Sequence, residues 1–165
     1  MSSSLSLRLQ AVLVALSLVV LAVGCAGEPA KPDMTPDESR EVFIAETIAV
    51  IRAVLPDTDP RIAVQEMNRP CGGPAGTDYS SVAAGISAHG EDPDDAMDPD
   101  NVFRNVVEVL KQRGWRVKYS DNRIAGAERE GVGDISAVLA ESPLGIDIIG
   151  TTECVRNPAF THAPM

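Results

Sequence analysis

The side chains of this chain that could do chemistry are three thiols, Cys25, Cys71 and Cys154, two imidazoles, His89 and His162, and 24 carboxylates. Zinc is the first chemistry to weigh, because thiolate and imidazole are its usual ligands. Cys71 and Cys154 lie 83 positions apart and each histidine stands alone, so no zinc-ligand spacing forms. Nucleophilic catalysis is the second. Gly85-Ile86-Ser87-Ala88-His89-Gly90 approaches the nucleophile elbow, but a histidine stands where the second glycine belongs, and the elbow also needs distant acid and histidine partners. Ser87 and His89 alternate by two, so they are expected to share one face of a strand as exposed polar residues. Asp134, Glu141 and Asp147 invite pairing as general acid and base, yet in a chain with 24 acids such combinations arise freely. Glu91 to Asp100 carries six acids in ten residues and tempts a calcium-loop interpretation. Such a loop needs a glycine at its sixth position and a distal glutamate in register, and neither is present, so a solvated loop is expected. No catalytic residue, cofactor site or metal site is assigned.

Cys25 is different, because its position gives it a role. It follows the mostly apolar run Leu9 to Gly24, with Arg8 and the amino terminus as a short positive region before it and small residues at the exit, Leu21-Ala22-Val23-Gly24-Cys25. The arrangement resembles the lipobox of bacterial lipoproteins, in which the cysteine thiol is lipidated and residues 1–24 are removed as a signal peptide. The run has 16 residues where a bilayer span needs roughly 20, which counts against the rival reading, a retained transmembrane helix. Ordinary cleavage with an unmodified Cys25 is the third possibility. With Cys25 assigned to lipid, Cys71 and Cys154 are an even number of thiols in an oxidising compartment, and one pairing exists. That disulfide closes a loop worth about 4–5 kcal/mol in the chain-entropy model.

The removed leader contains Arg8 and no acid, so 141 residues would remain with 13 basic and 24 acidic side chains, a net charge of −11. That length suits one domain with a real core. The charge argues against nucleic acid as a partner and is repelled by anionic lipid, so attachment to a membrane would come from acyl chains. An envelope protein or a lipid ligand remains as a partner class.

The elements that position these groups follow from pattern. Residues 25–34, lipidated Cys25 and a proline-rich polar stretch, read as a tether of at most about 30 Å. Thr35-Pro36-Asp37-Glu38 spells an N-cap, a proline at the first helical position and a capping-box glutamate, and Ile44, Ile48, Ile51 and Leu55 mark an apolar helix face ended by Pro56. A strand is expected from Arg61 to Met67, then a turn through Arg69-Pro70-Cys71-Gly72-Gly73-Pro74, then a strand from Tyr79 to His89. The turn is expected to be a disulfide-anchored loop, with anion binding by its glycine amides as the alternative. Asp98 caps a second helix begun by Pro99, with Phe103, Val106, Val107 and Leu110 on one face and its end at Gly114. Trp115, Val117 and Tyr119 alternate as the covered side of a strand; Trp115 is expected in the core rather than on a partner surface. After the Asp121-Asn122 turn come strands at 123–129, 133–140 and 146–155, a meander. Residues 35–157 thus form a single α+β domain, a two-layer sandwich with an antiparallel sheet of about five or six strands and two helices on one face, followed by a tail at 158–165.

Cys71-Gly72-Gly73 after the first strand and Gly150-Thr151-Thr152-Glu153-Cys154 near the end resemble the LppA-like lipoproteins of mycobacteria and their actinobacterial relatives. The order of lipobox, helix, Cys-Gly-Gly, central helix, Gly-Trp strand and Gly-Thr-x-x-Cys is similar along nearly the whole chain after the leader. The resemblance implies a two-layer envelope domain with a disulfide between Cys71 and Cys154, and it supplies no catalytic residue. Three function classes follow: a noncatalytic binding or interaction module tethered at the membrane, a carrier of a small apolar or lipid ligand held between helices and sheet, suggested by the small residues from Tyr79 to Gly90, and a hydrolase. The first leads. Replacing Cys25 by Ala should release the domain into the medium or leave the leader unprocessed, read by detergent partition and intact mass; unchanged partition would refute the anchor.

Overall fold

The structure is a computed structural model that describes residues 34 to 160; Cys25, the leader, the tether before Met34, and His162 lie outside the described residues. Helix α1 (Pro36–Val54) is followed by β1 (Arg61–Gly72), β2 (Asp78–Glu91), α2 (Pro99–Gln112), β3 (Arg116–Asp121), β4 (Ile124–Arg129), β5 (Gly133–Glu141), β6 (Leu144–Thr152) and the short β7 (Val155–Arg156). The strands form one seven-stranded antiparallel sheet in the order β1-β2-β6-β5-β4-β3, with β7 beside β2. β3 to β6 are the expected meander. α1 lies over β2 and β6, α2 over β3 and β5, and the two helices touch. The fold is an open α+β sandwich.

Local sequence starts and stops these elements. Thr35 Oγ1 accepts from the Glu38 amide at 3.3 Å while Glu38 Oε2 accepts from the Thr35 amide at 2.8 Å, a complete capping box. The Thr35 amide, donating to that carboxylate, holds the Glu38 carboxyl below its ordinary range. Asn122 and Arg123 both take left-handed backbone, with φ of 48° and 66°, which is what a two-residue hairpin turn between β3 and β4 requires.

Period-two alternation then sends one set of side chains toward the helices. Ala84, Ile86 and Ala88 of β2, Ile146 and Ile148 of β6, Ile135, Ala137 and Leu139 of β5, and Ala125 and Ala127 of β4 are buried beneath the helices with Phe43, Val50, Ile51, Val102, Val106 and Leu110. Two glycines let the layers approach. A Cβ on Gly90 would lie 2.4 Å from Ile51 Cγ2, and one on Gly150 would lie 2.7 Å from Phe43 Cζ and 2.2 Å from the Asp134 carbonyl oxygen.

Several boundaries and faces differ from expectation, each for a physical reason. The buried face of α1 runs through Phe43, Thr47, Val50, Ile51 and Val54, while Ile44 and Ile48 are half-buried at its flank. Thr47 can sit in the core because its hydroxyl donates back to the Phe43 and Ile44 carbonyls, each at 3.0 Å, so a purely apolar count misplaces the stripe. In α2 the central line is Val102, Val106 and Leu110, with Phe103 and Val107 beside it. β1 does not turn at Arg69-Pro70 but continues to Gly72. It is an edge strand, where a residue lacking an amide hydrogen need not break the ladder, and register shifts flank Pro70. A bulge between Val117 and Tyr119 breaks the alternation of β3, so Trp115 and Val117 face the core and Tyr119 turns to the opposite face. β6 ends at Thr152, and the expected 146–155 strand is split into β6 and β7 around Glu153 and Cys154.

Gly150→Ala should cost about 1–3 kcal/mol by overpacking Phe43 and the β5 backbone, measured by chemical denaturation. An unchanged midpoint would show that the layers can separate freely there.

Candidate functional site

The helices cover one face of the sheet, and the other face has no layer over it among the described residues. Alternation that buries Ile148 and Gly150 leaves Ile149 outward and 57 % exposed near the middle of that face. In register across the strands, Ser136 of β5 and Ser87 of β2 flank Ile149, and Gly126 of β4 pairs with Tyr119 of β3. The Tyr119 ring lies over Gly126, where a Cβ would meet ring carbons at 2.1 and 2.3 Å, yet the side chain remains half exposed. An aromatic covering a glycine of the neighbouring strand replaces the packing that the glycine cannot supply.

At one end of this face the register sets Arg61 of β1, His89 of β2 and Asp147 of β6 side by side. Glu91 follows two residues after His89 on the same face. His89 Nδ1 lies 2.7 Å from Asp147 Oδ1 and Nε2 lies 2.8 Å from Glu91 Oε1, which also accepts from Arg61 Nη2 at 2.7 Å. Burial by itself would lower the His89 pKa, but the bonds to Glu91 and Asp147 together outweigh it and the value is raised. Glu91 is lowered, chiefly by its bond to His89 and further by Arg61.

This arrangement decides the fate of the sequence candidates. Both His89 nitrogens face carboxylates and Ser87 Oγ accepts from Gln65 Nε2 at 3.0 Å, so Ser87 is not bonded to a base. The two carboxylates approach opposite nitrogens of one ring and cannot share an ion with it, and the described residues contain no group of three or more acids, histidines and cysteines able to hold a metal. Asp134, Glu141 and Asp147 go to separate places: Asp147 to His89, Glu141 to an ion pair with Arg123, and Asp134 opposite Thr151. The acidic stretch after β2 serves backbone amides, its own and that of Leu144. Asp92 Oδ2 accepts from the Ala96 and Met97 amides, each at 3.0 Å, and Asp95 Oδ1 accepts from the Leu144 amide at 3.0 Å. Asp98 caps α2 as expected. Beside the glycines of the Cys71-Gly72-Gly73 turn lies the Asp78 carboxylate, within 2.3 Å of where either Cβ would stand, so an acid of the chain itself borders the turn. Trp115 is in the core, and its indole nitrogen has no hydrogen-bond partner there.

The opposite end of the sheet carries the thiols. Cys71 at the end of β1 and Cys154 after β6 have their sulfurs 2.09 Å apart, at disulfide distance. Beside them opens a groove of about 740 Å³, lined by Glu128, Asp134, Thr151, Glu153 and Arg116 among others. Its charges are largely engaged: Arg116 and Lys118 both pair with Glu128, and Glu153 Oε2 accepts from the Gly131 amide at 2.7 Å. On the helix side, Glu46 of α1 binds Arg113 at 3.1 Å and Arg129 of β4 at 2.7 Å, tying both layers together near this end.

Sequence reasoning found His89 but missed Arg61, Glu91 and Asp147 as its company. The i, i+2 spacing of His89 and Glu91 on a strand was the available signal; the other two come from strands whose register sequence spacing does not fix. Compared with family models, curated proteins and solved structures, the chain has no match. Among the described residues no helix is long and apolar enough to cross a membrane.

Cys71→Ser should expose one additional reactive thiol and, by opening the loop that the bridge closes, lower stability by about 4 kcal/mol, measured by thiol titration and denaturation under oxidising conditions. Two reactive thiols at 71 and 154 in the untreated protein would contradict the bond.

Proposed function

We propose that this chain is a lipoprotein of the cell envelope, related to the LppA-like lipoproteins it resembles, held at the extracytoplasmic face of the membrane by lipid on Cys25. Its folded domain acts as a noncatalytic binding or interaction module. The observation that carries the binding role is the uncovered sheet face, where Ile149 on a central strand and Tyr119 on an edge strand are each more than half exposed. Apolar and aromatic side chains held out on a strand lose little freedom when a partner covers them. The anchor is supported by the leader pattern and by the acidic charge, which gives the domain no affinity of its own for anionic lipid.

The carrier role has less support. The small residues of β2 suggest it, but those facing the helices, Ala84, Ala88 and Gly90, lie beneath packed side chains, with Ile51 filling the space above Gly90, as Phe43 fills that above Gly150 of β6. The side chains between the layers, among them Phe43, Ile51, Ile86 and Leu110, have no exposed surface.

A photo-reactive phenylalanine analogue at position 149, compared with one at position 108 on the outer side of α2, tests the platform in the native envelope. Cross-linking from 149 should capture a reproducible neighbour that 108 does not. Failure to capture any, or an identical set from both positions, would count against partner binding through this face.

A further inference from the structure

The edge strand β1 is held in an unusual way. Residues 63–69 are exposed in an unbroken row, so alternate side chains on both faces meet solvent and neither helix shields the strand. Its ladder to β2 is interrupted by three register shifts, between Val64 and Glu66, Glu66 and Arg69, and Pro70 and Gly72. Beyond that ladder it is held by one mid-strand bond, Gln65 Nε2 to Ser87 Oγ, by Ile62 packed against the core, and by contacts at its two ends. Cys71 ties the far end to Cys154. At the near end Arg61, the first residue of β1, binds Glu91, which binds His89, which binds Asp147 on β6.

We propose that His89 is a proton-operated latch for β1: as an imidazolium it joins β6 to β2 and fixes Glu91 for Arg61, and on losing its proton it releases the near end of the edge strand.

The geometry requires the charged ring. Neutral imidazole has one N–H and one lone pair, whereas both nitrogens here lie within 2.8 Å of carboxylate oxygens. A lone pair directed at a carboxylate oxygen at that distance is repulsive. A proton on Glu91 instead is disfavoured, because its bonds to His89 and Arg61 hold that carboxyl below its ordinary range. The charged and titratable groups facing the ring from neighbouring elements are Arg61 from β1, Asp147 from β6 and Glu91 from its own strand; the helices pack on the other side of the sheet. Consistently, the carboxylates raise the His89 pKa in spite of partial burial. A histidine whose folded pKa lies above its unfolded one stabilises fully below the unfolded value, about 6.5, and that contribution is lost as pH rises through the raised value. The latch is therefore closed on the acidic side and opens toward alkaline pH, exposing two carboxylates beside the Ile149 platform. The bridge at Cys71 keeps the far end of the strand attached throughout. None of this depends on the anchor or on a partner.

The test uses the full chain in detergent micelles, carrying His162→Gln so that His89 is the one imidazole. NMR titration of the ring should give a midpoint above about 6.5, and Asp147→Asn should lower that midpoint. A midpoint at or below the ordinary value, or one that Asp147→Asn leaves unmoved, would overturn the proposal. Hydrogen exchange over residues 61–66, compared with His89→Gln at each pH so that intrinsic rates cancel, should show about threefold or greater protection in the parent near pH 6, vanishing by about pH 9. A protection difference that does not change with pH would mean a steric role and sink the latch. Should His89→Gln fail to fold, Glu91→Gln serves in its place, with the same expected pattern, and the ring titration of the parent stands by itself.

Discussion

Helix α1 can reach the sheet because the sheet offers it places without side chains. Ile51 occupies the space above Gly90 and Phe43 the space above Gly150, with Ala84, Ala88, Ala125, Ala127 and Ala137 completing a low surface beneath the helices. Interiors are packed to crystal-like density, so a close approach of this kind fixes the position of the helix and not merely its presence. α2 then follows, because it packs on α1 as well as on β3 and β5. Glu46, binding Arg113 at the end of α2 and Arg129 on β4, fastens the same junction from the polar side.

Committing both helices to one face leaves the other to solvent, and the proposed function rests on that face. The outward positions are the ones that alternation excludes from the core, so the polar residues among them must find partners laterally, across strands, rather than from a second layer. Arg61, Glu91, His89 and Asp147 do so as a chain spanning three strands. Glu128 does so with Arg116 and Lys118. The outward apolar residues, Ile149 and Tyr119, have only neighbours at their sides, which makes them available to a partner and gives the proposed interaction role its physical basis.

The acidic composition has a local explanation as well as a global one. Asp92, Asp95 and Asp98 accept backbone amide hydrogens at loop and helix starts, and Glu38 completes a capping box. Carboxylates used this way satisfy amide donors that would otherwise be unpaired. Their sequence density suggests calcium, but their oxygens accept from backbone amides, those of Asp92 and Asp98 within their own segment and that of Asp95 from Leu144.

How far the sequence reached can be judged from particular residues. The capping box at Thr35, the N-cap at Asp98, the meander and its turn after β3, which falls at Asn122-Arg123, one residue beyond the expected Asp121-Asn122, were legible because each depends on interactions within a few residues. The α+β class was legible because helix and strand periods differ. Tyr119, Pro70 and the stripe of α1 were misplaced, since a bulge, an edge position and a back-bonded threonine are decided by the neighbouring strand or by the fit of one layer on another. Most of the candidate site was illegible for the same reason: His89 meets Asp147, 58 residues away, and Glu91 meets Arg61, 30 away, only because strand order and register bring them abreast. Short-range pattern determined which elements form and where the two helices start. Only the tertiary structure decided which side chains share a face, because register is an outcome of packing the whole sheet against its helices.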